Sequence, residues 1–211
     1  GQNFRSDDRV LERMAEEALL RPGEACLELG PGLGHLTRFL LETGAKVTAV
    51  ERDRDMVKAL NAQKLEGLTL VEGNAAEIDF AKAAQADQVV VVGNLPYHLS
   101  SPILFEVLDQ ADHVPRAVFT LQKEVVERVA AEPGTRESGV LTVMLALRFR
   151  VESAFEVPAD LFPKKGSVSW YTKVVQLDLE AQGQLERVPG QVPQRLRRAS
   201  RTIHAAARRG V

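Results

Sequence analysis

One cysteine stands among the 211 residues, Cys26, so no disulfide can form within the chain and a disulfide framework of the secreted kind is excluded. That thiol sits in an apolar stretch that reads as strand, with no histidine near it in sequence. It is expected to be a small core residue rather than a nucleophile. Histidine is scarce too: four are scattered along the chain, without metal-ligand spacing to one another or to Cys26, so no metal site is expected. Long apolar runs are missing. None approaches the ~18 residues of a membrane-spanning helix and no secretory leader is seen, so the expectation is a cytoplasmic protein without a membrane partner. The chain opens on Gly1-Gln2-Asn3-Phe4 without a methionine, and the natural N-terminus is expected to extend further.

Charge is nearly balanced at −2, but it is unevenly placed. Residues 161–211 hold ten lysines and arginines against Asp178, Glu180 and Glu186, a surplus of seven that leaves residues 1–160 at −9. An acidic body with a basic end points to a polyanion that touches one end of the molecule. Arg195, Arg197, Arg198 and Arg201, with Arg208 and Arg209, form the candidate phosphate-binding surface.

Between residues 25 and 131 short apolar strands alternate with helices. "ACLELG", "KVTAV", "LTLVEG", "QVVVVGN" and "RAVFTLQ" are strands. "HLTRFLLETG", stopped by Gly44, residues 53–60, the stretch that Ser100-Ser101-Pro102 starts and "KEVVERVAA" are helices, and Ser6-Asp7-Asp8 reads as the cap of a first helix. Strands apolar on both faces require a mostly parallel α/β sheet covered on both sides. Beyond Gly139, "VLTVMLALRF" fits helix or strand, "VESAFEV" and "TKVVQLDL" fit closing antiparallel strands, and a basic helix is expected near the end.

In such sheets ligands sit at the carboxyl ends of the strands, near the point where strand order reverses. "ELGPGLG" lies at the first of these ends, where Gly30, Gly32 and Gly34 allow a sharp turn and close approach of a ligand. Glu51 ends the second strand and can accept hydrogen bonds from both hydroxyls of an adenosine ribose. That pairing is shared by NAD enzymes and by S-adenosylmethionine methyltransferases; the GxGxG spacing is not the GxGxxG of dinucleotide binders.

The fourth strand decides between the two cofactors, because it ends in Asn94-Leu95-Pro96-Tyr97. The exocyclic amine of adenine is a poor nucleophile, its lone pair being delocalised into the ring. Two acceptors aimed at its N–H bonds favour a pyramidal nitrogen and free that pair. The Asn94 side-chain oxygen and the Leu95 carbonyl supply two acceptors, and Pro96 stiffens the second by holding Leu95 extended. Tyr97 can stack on the base, a contact worth ~1–3 kcal/mol. Such a site takes an adenine out of its stack and presents its amine to a sulfonium methyl group.

"GQNF", "ELGPGLGHLT", "VERD", "GNLPYHLSSPILF", "LQKEVVERVAAEPGTRESGVLTV" and "VPADLF" together resemble the KsgA-type ribosomal RNA adenine dimethyltransferases of the bacterial small subunit. Relatives of these are the eukaryotic dimethyltransferases and the Erm resistance methyltransferases, and the likeness runs from Gly1 to about Leu177. The resemblance implies a Rossmann-like class I methyltransferase domain over residues 1–179, followed by a reduced or truncated basic helical segment over 180–211. It implies S-adenosylmethionine as cofactor, small-subunit ribosomal RNA in an immature small subunit as partner, and a monomer. Gln2 and Asn3 would border the methionine moiety, Glu28 and Gly30 to Gly34 would form the cofactor loop, and Glu51 would bind the ribose. Arg52, Asn74, Ala75 and Asn94 would complete the cofactor contacts. Asn94, Leu95, Pro96 and Tyr97 would hold the target adenine, with Phe162 beside the base.

The chain departs from the family in four places. Asn74 replaces a usual aspartate that contacts the cofactor's adenine amine, and Arg5 replaces an apolar residue. "FPKKGSVSWYTKVV" lacks the two prolines of the family's loop, and only some thirty residues follow Leu177 where a larger helical lobe is usual. Three functions stay open: adenine dimethylation in small-subunit RNA, an Erm-type reaction on large-subunit RNA, and a cofactor-binding assembly or transcription factor with little catalysis.

Overall fold

The computed structural model describes residues 2–95, 97–157, 172–178, 185–187 and 196–198. Seven strands form one sheet in the order β3-β2-β1-β4-β5-β7-β6. β1 (Ala25–Leu29), β2 (Lys46–Glu51), β3 (Leu68–Glu72), β4 (Val90–Asn94) and β5 (Arg116–Gln122) run parallel. β7 (Thr172–Asp178) returns antiparallel to β5, and β6 (Arg150–Val157) closes the sheet antiparallel to β7. Strand order reverses between β1 and β4, so the crevice at their carboxyl ends is the place where this topology leaves room for a ligand.

The valine run has a direct physical reading. Successive side chains of a strand point to opposite faces, and here both faces are roofed. Cys26, Val47, Val90, Val92 and Val118 pack with Leu11, Met14 and Ala15 of α1 (Gln2–Glu17) and with Leu36 and Leu40 of α2 (His35–Glu42). The alternate residues Leu27, Leu29, Val89, Val91, Ala117, Phe119 and Leu121 face the other way. There they meet Phe80 of α4 (Phe80–Ala84), Ile103, Leu104 and Val107 of α5 (Ser100–Asp109), Val126 and Val129 of α6 (Lys123–Val129), and Leu145 of α7 (Val140–Ala146). Cys26 is fully buried, and burial pushes its thiol well above the ordinary range, which is the state of a core residue and not of a nucleophile.

Several boundaries differ from the sequence reading. Ser6-Asp7-Asp8 lies inside α1, which already runs from Gln2; a Ser/Asp triplet marks a helix start only when the residues before it cannot be helical, and Gln2 to Arg5 include no breaker. The stretch after Gly139 resolves to helix, its Thr142 hydroxyl accepting the Gly139 N–H at 2.9 Å. Asp53 caps α3 (Arg54–Ala62), accepting the amides of Asp55 and Met56 at 2.8 and 3.3 Å. Within 180–211 the described residues are β8 (Leu185–Arg187) and β9 (Leu196–Arg198), an antiparallel pair. Arg197 and Arg198 therefore stand in a strand rather than in the expected basic helix, the rest of which lies outside the described residues.

Candidate active site

Three loops converge on the crevice. The first leaves β1 through Gly30, Gly32 and Gly34, all at positive φ (70°, 55° and 82°), where a side chain would strain the backbone. Gly30 N–H donates to the Val50 carbonyl at 3.0 Å, which ties the loop to the end of β2. At Gly34 a Cβ would also stand 2.5 Å from Leu60 Cδ1, so that side chain would have to shift to admit one. Above Gly30 and Gly32 the space a Cβ would take is open, which makes a bare backbone cradle.

Glu51 ends β2 and faces that cradle. Its Oε2 accepts the Gly32 N–H at 3.1 Å, while Oε1 accepts those of Arg52 and Asp53 at 2.8 and 2.9 Å. One carboxylate thus stitches the two turns together, and a carboxylate has about four acceptor positions, so about one remains for a hydroxyl donor. Arg52 contributes its backbone N–H to this arrangement.

Glu28 lies two residues before the loop and is buried, and its Oε2 finds no hydrogen-bond partner among the described residues. Burial raises its pKa from 4.5 to about 7. Thr37 stands near enough to oppose that shift without making a hydrogen bond of ordinary geometry, and the Glu51 charge adds to it. The sign follows. Below pH 4.5 the carboxyl is neutral in folded and unfolded chains alike and costs nothing; as pH rises through 7 the folded state is forced to bury a charge. The full cost is roughly 3 kcal/mol at 1.36 kcal/mol per pKa unit. Glu28→Gln in ligand-free protein is therefore expected to gain stability relative to wild type as pH goes from 4 to 8. Denaturant melts across that range check it, and a difference independent of pH would refute it.

The third loop follows β4. Asn94 is exposed at the strand's end and lies beside Thr120 of β5 in parallel register; the Thr120 hydroxyl donates to Asn94 Oδ1 at 2.5 Å. Before it, Gly93 lacks a Cβ that would come within 2.8 Å of Leu95 Cδ2 and 3.2 Å of the Leu29 carbonyl, which lets Leu95 fold back over the strand and pack against the core. Tyr97 opens one 3-10 turn, and α5 begins at Ser100, as Ser100-Ser101-Pro102 predicts.

The structure thus brings Glu28, Gly30, Gly32, Gly34, Glu51, Arg52, Asn94 and Leu95 to the ends of three adjacent strands. Asn74 and Ala75 follow β3, next in the sheet, and both are half-buried. The Asn74 oxygen is turned onto its own backbone, accepting the Ala76 N–H at 3.2 Å. Gln2 and Asn3 lie in the first turn of α1, which packs against α2 and β5. Pro96, Phe162, Arg195 and Arg201 lie outside the described residues. Lys123 and Glu127 stand 3.8 Å apart on the outside of α6. Thr120 was not singled out from sequence: one more β-branched residue inside a strand gives no signal until the register sets it beside Asn94. Among the described residues no group of three or more His, Cys, Asp or Glu can hold a metal ion, and no helix is long and apolar enough to cross a membrane.

The sequence profile described as "Ribosomal RNA adenine dimethylase" matches residues 1–192. "Ribosomal RNA small subunit methyltransferase A" of Myxococcus xanthus is 60% identical over 159 residues, covering 75% of this chain and 56% of that protein. The protein of the same name from an Anaeromyxobacter species is 51% identical over 172 residues, covering 77% and 61%. The chain therefore spans about three fifths of the length of these curated relatives. Among solved structures, a dimethyladenosine transferase from Plasmodium falciparum superposes with a TM-score of 0.68 at 28% identity, over 80% of this chain and 60% of that one. The 23S rRNA methyltransferase ErmE gives 0.71 at 27% identity, over 82% and 68%.

Proposed function

The chain belongs to the ribosomal RNA adenine dimethylase family, and on that premise we propose that it transfers methyl groups from S-adenosylmethionine to the exocyclic amines of adjacent adenines in small-subunit ribosomal RNA, in the cytoplasm, on an immature subunit. The observation that carries this reading is the placement of Asn94 at the switch point, one strand away from the glycine cradle. The two relatives that match at 60% and 51% identity favour the small subunit over the large.

The residues present fit the cofactor. Gly30 and Gly32 leave open space for a nucleoside to lie on backbone, Glu51 keeps an acceptor position for a ribose hydroxyl, and the partnerless buried oxygen of Glu28 suits a cationic group. When bound, S-adenosylmethionine supplies an electrophilic methyl group. The chain's own part is to position and to polarise. Asn94 Oδ1 and the Leu95 carbonyl accept the two amine hydrogens and so favour a pyramidal nitrogen, and Tyr97 supplies a stacking face. Fixed acceptors of this kind need no reorganisation during transfer and act mainly through orientation and electrostatics. The methylated amine sheds its surplus proton readily, so no general base is required.

The RNA is chosen by shape and phosphate contacts rather than by base edges. Arg195, Arg197, Arg198 and Arg201 are assigned to the phosphates. Replacing all four by alanine is expected to flatten the slope of log affinity against log salt by roughly three, at ~0.7 per contact on single-stranded RNA. Titrations at several salt concentrations measure it, and an unchanged slope removes the assignment.

The test of the function is transfer of labelled methyl from S-adenosylmethionine to small ribosomal subunits lacking adenine dimethylation, beside fully modified subunits and bare large-subunit RNA. Label confined to the unmodified small subunits is the expected result. Label on large-subunit RNA would make the reaction Erm-like, and cofactor binding without transfer would make the chain an assembly or transcription factor.

A further inference from the structure

We propose that Thr120 is a positioning residue for Asn94: its hydroxyl holds the carboxamide with the oxygen, not the nitrogen, fixed at the adenine site. The inference rests on the methyl-transfer reading above and assigns a role to a residue outside the Asn-Leu-Pro-Tyr motif.

A carboxamide has two ends of nearly equal size and opposite chemistry. Only the oxygen accepts an amine hydrogen; the reversed side chain would set N–H against N–H and push the amine away. Asn94 is exposed at the end of its strand, so packing does not choose between the two orientations. Thr120 is the residue directly beside it on β5, and it is buried. Its Oγ1 lies 2.5 Å from Asn94 Oδ1, within the range of O–H···O hydrogen bonds and shorter than N–H···O bonds run. That spacing selects the orientation in which the threonine donates and the asparagine oxygen accepts. A carbonyl-type oxygen has two lone pairs, so one is taken by Thr120 and the second stays available for the amine. Being buried in the sheet, the hydroxyl is anchored by the strand itself, and its β-branched side chain has little rotameric freedom to lose. A base that carries a carbonyl where adenine has its amine would meet two fixed acceptors, Asn94 Oδ1 and the Leu95 carbonyl, and be rejected by both.

Two substitutions separate the hydroxyl from the shape. Thr120→Val keeps the outline and removes the donor; Thr120→Ser keeps the donor and removes a methyl group. Under saturating S-adenosylmethionine with unmodified small subunits, Val is expected to lower kcat roughly tenfold, the ratio that one lost hydrogen bond of ordinary strength produces, and Ser to restore it to within about threefold. The Kd for S-adenosylmethionine and the melting temperature stay near wild type in both. In parallel, the side-chain amide signals of Asn94 in nitrogen-proton spectra are expected to move in Val and to hold in Ser. Wild-type kcat in Val overturns the proposal, and so does equal impairment of Val and Ser, which would be packing. If the wild-type chain transfers no methyl to any RNA, it is the functional reading that fails. The amide signals then decide the contact: moved by Val and kept by Ser supports it, and unmoved by both overturns it.

Discussion

Asn94→Ala is expected to lower methyl transfer by about 10²–10³-fold, the loss typical when one fixed polar group facing a transition state is removed. The variant deletes one of two acceptors for the amine and leaves the nitrogen's lone pair delocalised into the ring for longer along the reaction path. It also leaves the buried Thr120 hydroxyl without its acceptor. Single-turnover rates with saturating S-adenosylmethionine separate this loss from any change in cofactor affinity, which should be much smaller. A variant that keeps its rate but binds cofactor poorly would mean that Asn94 serves the cofactor and not the adenine.

Glu51→Ala is expected to weaken S-adenosylmethionine binding by on the order of 100-fold, because charge-assisted hydrogen bonds contribute ~1.5–3 kcal/mol each and at least one ribose contact goes with the side chain. Three backbone amides, those of Gly32, Arg52 and Asp53, lose their acceptor at the same time, so the cradle itself loosens. Glu51→Gln should fall between, near tenfold: one oxygen can keep the Arg52 and Asp53 amides, but an NH2 group then faces the Gly32 N–H. Calorimetric titration reads the affinities. The rise in melting temperature at a fixed cofactor concentration gives an independent check, since ligand stabilisation falls as the ratio of concentration to Kd falls. Unchanged affinity in Glu51→Ala would show that the cofactor lies elsewhere.

Much of this arrangement was legible in the residues alone. The run from Val89 to Val92 required a strand covered on both sides, and the glycine spacing with Glu51 located a loop and a carboxylate that meet at the ends of β1 and β2, because strand ends and turns leave marks in residue type. What could not be read had other causes. α4, at five residues, is too short to show a period, and the triplet at Ser6 carried a start signal that the residues before it overrode. The raised pKa of Glu28 depends on what surrounds it, not on the "ELG" in which it stands. Thr120 became visible only through register, which joins residues 26 positions apart. The arginines near the end of the chain gave a charge signal but no fold signal, and Arg197 and Arg198 turned out to stand in a strand.

The most direct measurement is the identity of the methylated nucleoside. Small-subunit RNA lacking adenine dimethylation would be incubated with the chain and S-adenosylmethionine, digested to nucleosides and resolved by mass and chromatography. The expected product is N6,N6-dimethyladenosine, formed through N6-methyladenosine and lost in Asn94→Ala. Methyl groups on a ring atom of adenine or on another base, formed equally well without Asn94, would contradict the claim that this crevice presents an adenine amine between two acceptors.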